Sequence, residues 1–263
     1  MTSADSIRPS RRWLGVAVIM GVVFAVLAVL WVVVTDSRLP DPVGYPELDV
    51  GADIVQWGSN DERALHLHLV RPDSPAASPL RALLFVHGAR GNPGQFTTQA
   101  DAFAAAGGIG VLVEYSTFAE DADSQDQSED LFDVVRYVRA NADDLGIDPD
   151  HITVAAASAG ARAATRALTD NDDPSAVPNA FVWLNPSVGL ERWPEGTPSL
   201  PTLLLHGDAD ALVDVESVLD LCTSMGDNCS FEISADGGHG FFNEDRYRGE
   251  VTASFVAWVL ALP

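Results

Sequence analysis

The segment Ile152-Thr-Val-Ala-Ala-Ala-Ser-Ala-Gly-Ala161 restricts the fold of this chain more than any other: an apolar run ends on a serine, and small residues then open a helical stretch. It reads as a strand that turns abruptly into a helix. Such a turn holds its central residue in a strained conformation. Only small neighbours let the two backbones pass closely enough for the Ser158 oxygen to stand clear. A serine among alanines is, taken alone, an ordinary helix or loop residue, so the rest of the chain decides.

Three other segments bear on the decision. Ala82-Leu-Leu-Phe-Val-His-Gly-Ala-Arg-Gly91 is a buried-type strand that runs into a glycine-bearing loop, and Pro201-Thr-Leu-Leu-Leu-His-Gly-Asp-Ala-Asp210 repeats the form and ends in acids. Gly237-Gly-His-Gly-Phe-Phe242 places a histidine in a flexible loop between a short strand and the last helix. The chain order is serine, acid, histidine.

From about residue 52, strands alternate with helices, which favours a mostly parallel sheet covered on both faces. Gln95–Ala106 reads as a first helix and Ile109–Tyr115 as the next strand. Ser124-Gln-Asp-Gln127 resembles a capping box opening a second helix, with Leu131, Val134, Val135 and Val138 on one face. Ala180–Leu184 is a further strand, and Gly249–Leu262 a closing helix with Val251, Phe255, Trp258 and Val259 on its inner face. In Arg63–Val70, leucines alternate with His66 and His68. That pattern suits a half-exposed strand near the sheet edge, with both histidines on the surface and no third ligand nearby for a metal.

On these segments the chain resembles the α/β-hydrolase family, closest to its compact esterase and dienelactone-hydrolase-like branch, over roughly residues 51–263. The family elbow is Gly-x-Ser-x-Gly; here Ala156 replaces the first glycine and Gly160 keeps the second. The resemblance implies an α/β-hydrolase fold, a mostly parallel central sheet with helices on both faces. The sixteen or so residues from Asn185 to Leu200 are too few for an independent lid. It also implies a serine hydrolase that cleaves carboxylic esters through an acyl-serine intermediate. A peptidase or acyltransferase with the same triad, or a catalytically silent binding module of the same fold, is the alternative.

The chemistry needs a base to take the serine proton and a buried acceptor to fix the imidazole tautomer. The resemblance gives these roles to His239 and Asp210, with Asp208 and Asp214 as competitors for the acid. The backbone N–H groups of Ala159 and Ala89 are the expected oxyanion donors, with Arg90 the alternative in the second position. The Arg90 side chain either meets a substrate carboxylate or is simply solvated. Trp183, Trp193, Phe241 and Phe242 either line a substrate pocket or belong to the core. His87 and His206 read as structural.

Preceding this domain, Trp13–Val34 carries no charged residue and is long enough to cross a bilayer as a helix. Its length, and its ending in Val-Val-Val-Thr-Asp, favour an uncleaved anchor over a cleaved signal peptide. Arg8, Arg11 and Arg12 precede it, so residues 1–12 are expected in the cytoplasm and the catalytic domain outside, in a single-pass cell-membrane protein. Residues 35–50, with Pro40, Pro42, Gly44 and Pro46, read as a stiff tether. Cys222 and Cys229 flank a turn; in an oxidising compartment they can form a short-loop disulfide, and a free, partly buried pair is the alternative.

A net charge of −23, from 38 acids against 15 arginines and no lysine, repels phosphates, so nucleic acid is not an expected partner. The expected partners are a small ester substrate and, through residues 13–34, the lipid bilayer. No phosphate-binding Gly-x-x-x-x-Gly-Lys loop and no zinc spacing occur, and Gly107-Gly-Ile-Gly110 precedes a strand instead of following one. No cofactor is expected.

Overall fold

The computed structural model describes residues 48, 53–60, 63–74, 79–89, 91–117, 123–170 and 172–263. The expected cytoplasmic segment 1–12, membrane anchor 13–34 and tether 35–50 lie outside the described residues, Leu48 apart, as does Arg90. Among the described residues no helix is long and apolar enough to cross a membrane.

Eight strands form one sheet: β1 (Ile54–Ser59), β2 (Ala64–Val70), β3 (Leu80–Val86), β4 (Ile109–Val113), β5 (Ile147–Ala157), β6 (Ala180–Leu184), β7 (Thr202–Gly207) and β8 (Cys229–Ser234). Their spatial order is β1-β2-β4-β3-β5-β6-β7-β8. β2 lies antiparallel to both β1 and β4, and every other pairing is parallel. Parallel neighbours need crossovers, and helices supply most of them. These are α1 (Thr97–Ala105), α2 (Ser124–Ala140) followed by the single turn α3 (Ala142–Leu145), α4 (Ala159–Thr169) and α5 (Val215–Ser224). α6 (Asp245–Ala261) closes the chain, and no α-helix occurs between β6 and β7.

The strands are apolar on both sides because both sides are covered. Leu83, Phe85, Ala155, Ala157, Val182, Leu184, Leu203 and Leu205 point to the face of α1 and α6, where Phe85 packs between Phe96 and Phe255 with ring centroids 5.3 and 6.4 Å away. Their neighbours Leu84, Val86, Val154, Ala156, Phe181, Trp183 and Leu204 point to the face of α2, α4 and α5. The expected stripe of Leu131, Val134, Val135 and Val138 on α2 is buried there. The cap of α2 sits one residue earlier than the sequence suggested: Asp123 accepts from the N–H groups of Gln125 and Asp126, and the Asp126 carboxylate accepts from the Asp123 N–H. An aspartate serves this reciprocal arrangement as well as serine and glutamine do. α6 also starts earlier than expected, at Asp245.

The expectation of surface histidines on β2 holds for His66, whose side chain is 33 % exposed, and is corrected for His68. β2 is covered at the edge by β1, His68 is 6 % exposed, and both histidines converge on Glu114, just beyond β4. His68 Nε2 lies 2.9 Å from one carboxylate oxygen; His66 Nδ1 and an Arg63 nitrogen lie 3.2 and 2.7 Å from the other. Burial alone would raise the Glu114 carboxyl, but the bonds from His68 and His66 and the Arg63 charge outweigh it and lower it to about 2. A carboxylate depressed in this way stabilises the fold fully above its unfolded value, and that contribution fades as pH falls toward about 2. Glu114→Gln should therefore cost on the order of 1 kcal/mol or more at pH 7 and less at pH 3, measured by urea unfolding at both. An equal cost at the two pH values contradicts the account.

Candidate active site

β5 delivers Ser158 to the C-terminal edge of the sheet, and the chain turns there at once into α4. Ser158 adopts φ 48° and ψ −119°, a strained backbone for a residue with a side chain. Three backbone bonds hold the turn: the Ser158 N–H donates to Leu184 O at 3.1 Å, and Ser158 O accepts from Ala161 N at 3.1 Å and Ser187 N at 3.0 Å. Arg162, one turn into α4, clamps Ser187 from behind through its carbonyl and hydroxyl oxygens. The crossing requires Gly160, where a Cβ would fall 2.4 Å from His87 O and 2.9 Å from Val86 O. Ala156, the departure from the family elbow, points away into the core and is fully buried.

Asp210 follows β7 in a tight turn, and its Oδ1 accepts from the N–H groups of Leu212 and Val213 at 2.8 and 3.0 Å. Its Oδ2 lies 2.8 Å from His239 Nδ1, and His239 Nε2 lies 2.9 Å from Ser158 Oγ. A carboxylate only accepts, so Nδ1 carries the hydrogen and Nε2 presents its lone pair to the Ser158 hydroxyl. Burial would push the Asp210 carboxyl up, but the bond and charge of His239 and the two backbone N–H groups prevail and hold it below the usual range. It stays ionised at neutral pH. The acid and base loops touch through glycines: a Cβ on Gly207 would fall 2.1 Å from Gly237 O, which accepts from Ala209 N at 3.0 Å.

The loop after β3 closes the remaining side. A Cβ on Gly88 would lie 3.2 Å from Ser158 Cβ, so this backbone abuts the serine. Gln95 Oε1 accepts from Gly88 N at 3.3 Å, and the buried Tyr115 hydroxyl donates to His87 O at 2.6 Å. Ala89 is the next residue and is exposed, while Ala159 is the first residue of α4, where N–H groups have no intrahelical acceptor. Among the described residues no group of histidines, cysteines and acids has the arrangement of a metal site.

Comparisons with known proteins bear on the fold. The family model described as BD-FAE matches residues 69–181, less than half of the chain. No curated protein matches the sequence. Solved structures of esterase 2 from the planctomycete Thermogutta terrifontis are similar over nearly their whole length. The form phosphonylated by cyclosarin has 25 % identity and a TM-score of 0.72, covering 84 % of this chain and 97 % of that one. The form phosphorylated by paraoxon has 26 % identity and a TM-score of 0.72, with coverage of 82 % and 95 %. The propionate-bound form has 24 % identity and the same TM-score. The chain has the α/β-hydrolase fold.

Within that fold, the structure separates the residues singled out from sequence. Ser158, His239 and Asp210 meet, and Ala89 and Ala159 lie in the two segments that flank the serine. Trp183 and Phe241 are corrected as pocket residues, since both are fully buried. The alternation of β6 turns Trp183 under the sheet, between Phe181 and Trp193 at 5.9 and 6.2 Å. Phe241 packs edge-on against Phe242 and Tyr247 at 6.1 and 5.8 Å. Cys222 and Cys229 are joined by a disulfide, with Cα atoms 5.3 Å apart, tying α5 to β8.

Sequence reasoning did not single out Asn185 or Gln95 and gave His206 a structural role only. Burial holds the His206 imidazole below the ordinary histidine range. Neutral, it donates from Nε2 to Val213 O at 3.0 Å, with the same nitrogen 3.5 Å from Asp210 Oδ2. The acid turn is thus braced from inside the sheet. His-Gly at the end of a buried strand was the available sign, because a histidine there must find an acceptor.

The Gly160 crossing carries its own test. In an ordinary helix, Gly→Ala gains up to about 1 kcal/mol. Here the new methyl group would meet backbone oxygens that have no soft direction to yield. Gly160→Ala should lower stability by about 1–3 kcal/mol in urea or thermal unfolding. A neutral or stabilising result contradicts the close crossing.

Proposed function

We propose that the chain is a serine carboxylesterase whose reaction runs through Ser158, His239 and Asp210. The observation that carries this reading is the continuous hydrogen-bond line from the Asp210 carboxylate through the His239 ring to the Ser158 hydroxyl, at 2.8 and 2.9 Å. As Ser158 Oγ attacks the ester carbonyl, its proton passes to His239 Nε2, and the buried Asp210 charge stabilises the imidazolium that forms. The negative charge on the former carbonyl oxygen is met by the Ala159 and Ala89 N–H groups, a contribution of about 2.7–4 kcal/mol for one such donor. His239 then returns the proton to the leaving alcohol. Water deprotonated by the same nitrogen releases the acid and restores Ser158.

The same proposal places this domain outside the cell, anchored in the membrane by residues 13–34. The uncharged run with arginines before it supports that placement. So does the Cys222–Cys229 bond, since disulfides persist in oxidising compartments.

A fluorophosphonate should form one adduct, on Ser158, in folded protein. Ser158→Ala should lose the adduct and lower kcat for short p-nitrophenyl esters by roughly 10⁴ or more. Turnover that persists unchanged in Ser158→Ala moves the active site elsewhere. For the placement, protease added to intact cells expressing the full chain should digest the domain along with an exterior control; a protected domain reverses the orientation.

A further inference from the structure

Asn185, the residue directly after β6, combines three unusual features. Its φ is +39°, in the left-handed region that residues with side chains seldom enter. It is 1 % exposed, yet its Oδ1 is buried with no hydrogen-bond partner among the described residues. Its Nδ2 stands 3.2 Å from both Nδ1 and Nε2 of His239.

That last contact is not an ordinary hydrogen bond. His239 Nδ1 already donates to Asp210 and Nε2 already faces Ser158, so both in-plane directions of the ring are taken. The amide therefore rests against the ring itself. Asn185 is in turn fixed from below, its N–H donating to Leu205 O at 2.8 Å; two residues on, Ser187 N holds Ser158 O at 3.0 Å. The strand end that carries the amide is thus tied to β7 and to the serine turn.

The imidazole has need of such a restraint. Its loop, Gly237–Gly240, is rich in glycine, Gly240 has φ +85°, and a side chain at Gly238 would meet nothing within 4 Å. The His239 side chain is 22 % exposed, so solvent borders it on one side. Asp210 fixes one ring nitrogen but leaves the ring free to swing about that bond. A positive φ and an orphaned buried oxygen are both unfavourable, and strain of this kind persists only where surrounding structure holds it.

We propose that Asn185 is a positioning residue whose carboxamide braces the His239 imidazole in line between Asp210 and Ser158. The inference rests on the functional reading of those three residues. Among the described residues, the other groups set against the ring are Asp210 and Ser158; behind Asp210 lies His206, 3.5 Å from the Asp210 carboxylate and itself within the field of Asp214.

Two variants test it. Asn185→Gly removes the amide and suits a positive φ, so it adds no backbone strain. With p-nitrophenyl acetate its kcat should fall about tenfold or more, as misalignment of a reacting group does, while KM stays within about twofold and the thermal midpoint does not drop. Asn185→Asp keeps the shape and sets a carboxylate against the ring, which favours the protonated imidazole. The acid limb of its kcat/KM profile should move to higher pH. Wild-type kcat in Asn185→Gly together with an unmoved profile in Asn185→Asp overturns the inference alone. A wild-type protein silent toward both the ester and a fluorophosphonate overturns the functional reading and this inference with it.

Discussion

The passage of α4 beneath the β3 loop, backbone against backbone at Gly160 and His87, is the constraint on which the rest of the site depends. A residue larger than glycine there separates the serine turn from the segment that carries Gly88 and Ala89. The strain of Ser158, at φ 48°, follows from the same reversal of direction, and its N–H bond to Leu184 O and the bond its carbonyl accepts from Ser187 N hold it in place. Strand β5, buried on both faces, supplies the rigid base against which this strain can be kept.

The acid and the base come from separate loops, and a second contact between glycines unites them. Gly207 and Gly237 approach so closely that the turn after β7 and the loop after β8 behave as one edge. On that edge Asp210 is held by two backbone N–H groups and His206 lies against it, while His239 is carried by glycines. The arrangement divides the work: the carboxylate is rigid, and the imidazole takes its alignment from the groups around it. Among those groups Asn185 comes from the position directly after β6.

Much of this was legible in the sequence because it depends on local pattern. Apolar runs ending in His-Gly or Ser-Ala-Gly announce strands that stop at a functional edge, and the order of Ser158, Asp210 and His239 along the chain follows from the order of the loops. Face assignment was not legible. In a strand such as β6 every residue is buried, so nothing in Ala180–Leu184 tells which side Trp183 takes. The aromatic pair after His239 misled for the same reason, since Phe241 and Phe242 turn inward onto Phe96 and Tyr247. His68 looked like a surface residue because Glu114, which binds it together with His66, lies more than forty positions away, just beyond β4. Asn185 gave only the mark of a turn, an asparagine before a proline.

The central claim is that the imidazole of His239 bridges Asp210 and Ser158 before any substrate arrives. Proton NMR of the purified full chain addresses it directly, through the slowly exchanging low-field resonance of an imidazole N–H held by a buried carboxylate. The account predicts a resonance in the wild type that both Asp210→Asn and His239→Gln remove, distinct from any signal of His68 against Glu114, which both variants retain. Its absence from the wild type, or its survival in His239→Gln, would contradict the account.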